Sequence, residues 1–149
     1  MLRNCLIALS VMAGVMSLNA RADDKVLAFV KIVEGEASIT SESAVLPAKP
    51  GMPLYLGNII KTGANGSLGL TFKDNTVMSL GPDTEVTIDE YLYAPANDEL
   101  KLTANLIRGT LHYISGVIAK LKPEAVTVKT PAGIIGVRGT RFLVKAEAN

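Results

Sequence analysis

The chain has very few of the side chains that bind metals or carry covalent chemistry. Cys5 is its one cysteine and His112 is its one histidine. Cys5 lies within an N-terminal apolar segment, so the rest of the chain has no disulfide framework and no thiolate ligand. Metal sites need several converging histidine, cysteine or carboxylate ligands. We therefore predict no cofactor and no metal site.

The chain also lacks an excess of charge of either sign. Lysine and arginine together number 15 and aspartate and glutamate number 14, which gives a formal charge of +1. Nucleic-acid binding needs a clustered basic face, and we expect no nucleic-acid partner. Beyond Leu18, no apolar run approaches the roughly 20 residues that span a bilayer. We expect a soluble product that does not span a membrane.

The first residues are typical of a secretory signal peptide. Arg3 supplies a positive start, the run from Cys5 to Leu18 is apolar, and small residues precede a cleavage site after about Ala22. We predict that residues 1–22 are removed on export and that residues 23–149 form one domain, a length that suits a single core. An uncleaved N-terminal anchor is the alternative.

Short alternating runs separated by turn residues indicate an all-β domain. Leu68, Leu70 and Phe72 alternate in one run, and turn residues that include Asp74 follow. At such a turn we expect Asp74 to bond the local backbone, with calcium binding as the alternative. Strands begin about every nine residues, which is typical of all-β domains rather than βαβ units. The predicted fold is a compact β-solenoid-like unit or a two-sheet sandwich of short strands.

Three stretches give local predictions. Val26 to Val33 and Glu36 to Thr40 are predicted to form a hairpin around Glu34-Gly35. Asn105 to Tyr113 is predicted to be a strand, a glycine turn and a second strand. Ile114 to Lys122 fits either a strand with a bulge or a helical turn ended by the following proline.

The segment TPAGIIGVRGTRF raises the question of a phosphate site, because Gly133, Gly136 and Gly139 recur at every third position. The spacing matches neither the dinucleotide motif nor a P-loop, and no helix pattern follows to hold a phosphate. We interpret these glycines as positions of positive φ or close backbone approach. Part of the segment also repeats, because Ile107 to Leu111 reads IRGTL and Val137 to Phe142 reads VRGTRF.

Two arginines are candidate binding residues. We predict that Arg138 points inward and bonds backbone carbonyls or a carboxylate such as Glu85, Asp89 or Glu90. The alternative is an arginine that faces a partner or an anion. Arg108, in the first copy of the repeat, has the same two interpretations.

Two tyrosines complete the set of candidate binding residues. Tyr91 and Tyr93 flank a predicted surface loop from Tyr93 to Glu99, where tyrosines are common contact residues, although an ordinary pair at a strand end is the other interpretation. His112 shares a face with Ile114 in its strand and is interpreted as a packed or half-exposed strand histidine. With no GxSxG motif and no second histidine, nothing points to general acid–base or nucleophilic catalysis.

Three stretches together resemble the FecR domain family. They are GNIIKTGANGSLGLTFKDNTVMSLGPDTEVTI, LIRGTLHY and VKTPAGIIGVRGTRFLVKA, and they lie between Gly57 and Ala146. The resemblance implies a compact β-solenoid-like fold. The residues that carry its closing motif are Thr130, Pro131, Gly136, Arg138, Gly139, Thr140 and Phe142.

The resemblance also implies an extracytoplasmic binding role. The best-known members are envelope signal transducers in iron uptake, with a cytoplasmic anti-sigma segment and a membrane span that this sequence does not show. Sigma-factor regulation is therefore not carried over. We predict a non-enzymatic periplasmic module that binds or scaffolds an envelope protein. The alternative is a module for an envelope glycan or small anion, with Arg108 and Arg138 in a groove, and an enzyme ranks last.

Overall fold

The computed structural model describes residues 26–42, 44–137 and 139–147. The predicted signal peptide and its cleavage site lie outside the described residues, and so does Arg138, whose predicted inward orientation stays a prediction.

Short strands make up most of the described chain, with one short helix, α1, at Val117–Leu121 and 3-10 turns at Pro95–Asn97 and Pro123–Ala125. In chain order, the strands are β1 (Ala28–Glu34), β2 (Ala37–Ser41), β3 (Ala44–Pro47), β4 (Pro53–Leu54), β5 (Ile59–Thr62), β6 (Ser67–Phe72), β7 (Val77–Leu80), β8 (Glu85–Ala94), β9 (Glu99–Ile114), β10 (Val126–Thr130), β11 (Gly133–Gly136) and β12 (Arg141–Ala146).

The strands form two ladders that share β9. One ladder runs β4-β1-β6-β7-β9-β12 and the other runs β3-β2-β5-β8-β9-β10-β11. The two halves of β9 belong to different ladders, so the strands make one curled sheet. Every pairing is antiparallel except that of β9 with β10. The predicted all-β, single-domain fold is confirmed.

The chain crosses between the ladders at corners that lie side by side. The N–H of Gly63 donates to the carbonyl of Glu36 at 2.8 Å, and the N–H of Asp83 donates to the carbonyl of Gly63 at 3.0 Å. The corner between β7 and β8 is hydrogen-bonded to β9, because the N–H of Thr110 donates to Thr84 Oγ1 at 3.0 Å. These stacked corners join the two halves of the curled sheet.

Two local predictions are wrong because, in each case, a glycine with positive φ redirects or bends the chain instead of forming a hairpin turn. β1 and β2 do not form a hairpin, because Gly35, at φ +65°, directs the chain from one ladder to the other. A Cβ at Gly35 would overlap the carbonyl of Asn65 in the neighbouring corner. The predicted turn within residues 105–113 is likewise absent, because β9 continues through Gly109, which bends it at φ +96°.

The ambiguous segment after β9 is helical, which confirms the second of its two alternatives. α1 begins after Gly116 and ends before Pro123, with the N–H of Lys122 donating to the carbonyl of Ile118 at 2.8 Å. Gly116 lies against the β6–β7 turn, and a Cβ there would come within 2.6 Å of Thr76 Oγ1. The helix therefore packs directly on that turn.

The core lies inside the curled sheet. Leu68, Leu70 and Phe72 all point into it, as their alternation predicted. Burying a leucine or phenylalanine side chain contributes about 1.5–3 kcal/mol, so these alternating faces are the main source of stability. Other fully buried members are Leu54, Ile60, Met78, Ile88, Leu102, Leu106, Leu111, Tyr113 and Ile118.

Candidate functional site

A cleft lies at the end of β8, and we call it the tyrosine cleft. Its volume is about 860 Å³. Aromatic, aliphatic and charged side chains converge on it, as is typical of ligand pockets. The residues that define it are Tyr55, Leu56, Lys73, Tyr91, Leu92, Tyr93, Glu42 and Glu99.

Tyr91 is tied to a buried carboxylate at the rear of this cleft. Its hydroxyl donates to Asp74 Oδ1 at 3.1 Å and accepts from the N–H of Asp74 at 3.1 Å. Burial, together with the Asp74 charge, raises the pKa of Tyr91 well above its usual value. The phenol therefore stays protonated and keeps its role as a donor. Tyr91 supports the fold as well as lining the cleft.

Asp74 is itself fully buried and is the centre of a hydrogen-bond network. Thr76 Oγ1 donates to Asp74 Oδ2 at 2.7 Å, and the N–H of Ile118 donates to the same oxygen at 3.1 Å. The N–H of Thr76 donates to Asp74 Oδ1 at 3.3 Å. The expected bonding to the local backbone is thus present, and the carboxylate also joins the β6–β7 turn to α1 and to Tyr91. Both of its oxygens are already acceptors within the protein.

Tyr93 lies two residues further along β8, at the exposed mouth of the cleft. The loop beyond it is shorter than predicted, because Tyr93 belongs to β8 and Glu99 to β9. The turn between these strands is closed by Asp98, at φ +54°. Tyr91 and Tyr93 therefore lie near a strand end, and they also share one cavity, which the sequence did not indicate.

The charges around the tyrosine cleft are mixed. Lys73 is opposed by Glu42 and Glu99, all of them exposed. Carboxylates thus outnumber the cation among the lining residues, and like charges repel an anion. The lining favours an uncharged ligand over a small anion.

Arg108 lies far from the tyrosine cleft, opposite Glu85 at the other end of the β8–β9 ladder. Tyr93 is eight positions beyond Glu85 along β8, which corresponds to about 26 Å of extended strand. Arg108 Nε is 3.8 Å from Glu85 Oε2, and the arginine is about half exposed. Such surface pairs contribute only about 0–1 kcal/mol. Arg108 is therefore not part of the cleft.

A second feature, which we call the C-terminal edge, is formed by β11 and β12. β11 returns from β10 through a turn at Pro131, where Thr130 Oγ1 donates to the carbonyl of Gly133 at 2.9 Å. All four residues of β11 are exposed. A groove of about 360 Å³ is lined by both strands and by the residue after β11, namely by Ile135, Gly136, Val137, Phe142, Leu143, Val144 and Lys145.

The three glycines of this region differ in what they do. Gly133 and Gly139 have positive φ values of +149° and +111°, as the interpretation of the motif expects. Gly136 has no positive φ, and a Cβ there would meet nothing within 4 Å. The fold therefore does not require glycine at position 136. The missing side chain leaves the backbone of the groove open to close approach.

β12 is fixed to the core by one face. The ring of Phe142 stacks on the buried ring of Tyr113 with centroids 4.7 Å apart, and Val144 and Ala146 are also buried. The opposite face presents Arg141, Leu143 and Lys145 to solvent. Thr140, just before the strand, accepts a bond from the N–H of Ser115 at 2.8 Å.

His112 lies on the outer face of the same ladder. It is paired across the strands with Leu143 on one side and Ser79 on the other, and it is half-exposed, as expected. Within the described ranges, no three histidine, cysteine, aspartate or glutamate side chains group closely enough to hold a metal ion.

Comparison with known proteins gives one match. A family model described as FecR protein matches residues 58–149, which include β5 to β12 and therefore both strands of the C-terminal edge. No curated protein and no solved structure matches the chain. No helix in the described part of the chain is long and apolar enough to cross a membrane.

Proposed function

This chain belongs to the FecR protein family, and we propose that it is a non-enzymatic module that binds or scaffolds another protein in the bacterial cell envelope. The proposal places the exported chain in the periplasm, after cleavage of residues 1–22. Its partner is an envelope protein, and the contact is made by pairing of β-strands at the C-terminal edge.

The exposure of β11 carries this proposal. Ile134 is 72% exposed and Ile135 is 38% exposed, and the strand has no charged residue and no proline. Among the described residues β11 pairs with β10 alone. Natural proteins usually protect such an edge with charge, proline or a covering segment, because an open edge pairs with other chains. An apolar edge strand is therefore suited to strand addition by a partner.

A single substitution tests the edge. We expect Ile134→Lys to reduce capture of the partner from a periplasmic extract roughly 5- to 30-fold, because a lysine blocks the edge and one anchor residue contributes about 1–2 kcal/mol. Capture is measured with the tagged chain and quantified against the native protein.

Leu121→Lys is the matched control, because Leu121 is equally apolar and 60% exposed but lies in α1. It should capture as much partner as the native chain. Equal capture by native, Ile134→Lys and Leu121→Lys chains would contradict binding through the edge.

The tyrosine cleft supports a second candidate function, the binding of an envelope glycan. A cavity of about 860 Å³ lined by three tyrosines offers aromatic faces and polar tips in one place. Its excess of carboxylates favours a glycan over an anion such as citrate or phosphate.

A thermal shift measurement tests the second candidate. At a concentration of an uncharged N-acetylglucosamine oligomer 100 times its Kd, binding stabilises the native state by about 2.7 kcal/mol and raises Tm by several degrees. We expect Tyr93→Ala to lose this shift and Ile134→Lys to keep it. A flat response of the native chain to the uncharged oligomer would contradict glycan binding.

A further inference from the structure

We propose that β12 recognises an extended segment of a partner protein in which two acidic residues flank an apolar one, so that the pattern is acidic–x–apolar–x–acidic. The segment adds to the sheet as a strand beside β12. This inference rests on the proposed function and gives the chemistry of the partner at the C-terminal edge.

The backbone of β12 supplies the first part of the argument. The carbonyl of Thr140 accepts a hydrogen bond from the N–H of Ser115, the residue that follows β9, and successive residues of a strand direct their backbone groups to opposite sides. Phe142, Val144 and Ala146 therefore bond toward β9. Arg141, Leu143 and Lys145 direct their N–H and C=O groups away from β9, and in the described part of the chain β12 pairs with no other strand.

The side chains of these outward residues supply the second part. Arg141, Leu143 and Lys145 are exposed on one face, with Leu143 67% exposed. Side chains directly opposite each other in adjacent antiparallel strands are about 4.5–5.5 Å apart, and opposite charges there attract. Acidic residues opposite Arg141 and Lys145, with an apolar residue opposite Leu143, complete three cross-strand pairs.

The ion pair that Lys145 makes within the chain competes only weakly with a carboxylate of the partner. Lys145 Nζ is 3.6 Å from Glu147 Oε1, but both side chains are highly exposed, at 70% and 83%. Exposed pairs of this kind contribute little, so a carboxylate of a partner can replace Glu147.

The third part of the argument is that the side chains of β12 protect its open edge only partly against pairing with another strand. Lysine on an edge strand normally prevents unwanted pairing. A purely protective edge does not need an exposed leucine between its two cations, and it does not need an open groove beside it. Here the groove of about 360 Å³ runs along β12, and Gly136 leaves its far wall without a side chain. The edge thus excludes basic and neutral strands more than acidic ones.

Three synthetic peptides of equal length test the inference on the exported chain. One has the pattern Glu–Thr–Val–Thr–Glu, one has lysine in place of both glutamates, and one has serine there. Affinity is measured by fluorescence anisotropy at low salt, and exchange of the amide hydrogens of Leu143 and Lys145 locates the site. Two opposite-charge pairs at about 0.2–1 kcal/mol each correspond to roughly 2- to 30-fold in affinity.

We expect the glutamate peptide to bind roughly 2- to 30-fold more tightly than the serine peptide, to protect both amides and to lose this advantage at high salt. The double variant Arg141→Glu/Lys145→Glu should instead prefer the lysine peptide. The control variant Lys49→Glu/Lys120→Glu has the same change in net charge at exposed sites elsewhere, and it should keep the native preference. Both variants should melt at the native temperature.

Equal affinities of the native chain for the three peptides, or binding without protection of Leu143 and Lys145, would overturn the inference. The proposed function is separable from it. If Arg141→Glu/Lys145→Glu captures the periplasmic partner as well as the native chain does while Ile134→Lys does not, edge binding stands and the acidic preference fails.

Discussion

Asp74→Ala should lower the free energy of unfolding by about 3–5 kcal/mol. The substitution leaves the buried Thr76 hydroxyl, the N–H of Ile118 and the Tyr91 hydroxyl without their acceptor. Each buried donor without an acceptor costs about 1–3 kcal/mol. Because whole domains have only about 5–15 kcal/mol of stability, the loss is large. Urea denaturation followed by circular dichroism measures it.

Asp89→Ala is the control for this prediction. Asp89 is an exposed aspartate on β8, with Lys129 Nζ 3.8 Å from its Oδ2 and Thr87 Oγ1 3.1 Å from its Oδ1. Its removal should cost no more than about 1 kcal/mol. If Asp74→Ala and Asp89→Ala unfold at the same urea concentration, Asp74 does not organise the network.

The second large effect is expected for Gly109→Ala, which should destabilise the protein by about 2–5 kcal/mol. Gly109 has a φ of +96°, where a side chain costs about 1–2 kcal/mol. A Cβ there would also lie 2.7 Å from the Cβ of Thr84 and overlap its Oγ1, and overpacking adds about 1–3 kcal/mol. Thr84 is fully buried and accepts from the N–H of Thr110, so it cannot move away without breaking the corner.

Gly136→Ala is the matched control, because it adds the same methyl group at a glycine with no positive φ and open space around it. Its unfolding free energy should stay within about 0.5 kcal/mol of the native value. Equal stability of Gly109→Ala and the native chain in urea denaturation would mean that β9 does not need its bend.

The sequence predicted the class of fold because alternation is a local property. Leu68, Leu70 and Phe72 face the core whatever their strand pairs with. The hairpin around Gly35 could not be excluded in the same way, because a glycine with positive φ serves a hairpin turn and a corner between ladders equally well. Only the pairing of β1 with β6 and of β2 with β5 separates the two.

The chain contains the sequence Arg-Gly-Thr twice, at residues 108–110 and 138–140. The sequence alone does not show that the two copies occupy different places in the fold. Gly109 and Gly139 both have positive φ, at +96° and +111°, so the two glycines share a conformation. Their surroundings differ, since Gly109 lies within β9 and Gly139 precedes β12. The prediction of a turn at Gly109 failed because the strand continues through the bend and pairs on both sides of it.

The candidate site was predictable only in part. The sequence marks Tyr91 and Tyr93 by their place beside a loop, but the bond between Tyr91 and Asp74 joins a residue of β8 to one in the β6–β7 turn, 17 positions away. The alternation of Arg141, Leu143 and Lys145 is visible in the sequence. Whether that face borders an open edge depends on long-range pairing, which one sequence does not specify.

Pairing of a partner strand with the C-terminal edge is tested most directly by amide hydrogen exchange on the complex captured from the periplasm. The amides of Ile134, Arg141, Leu143 and Lys145 should exchange much more slowly in the complex than in the free protein, because a partner strand bonds to this edge. Unchanged exchange at these amides, with protection confined to Leu56 and Tyr93 in the tyrosine cleft, would contradict edge pairing.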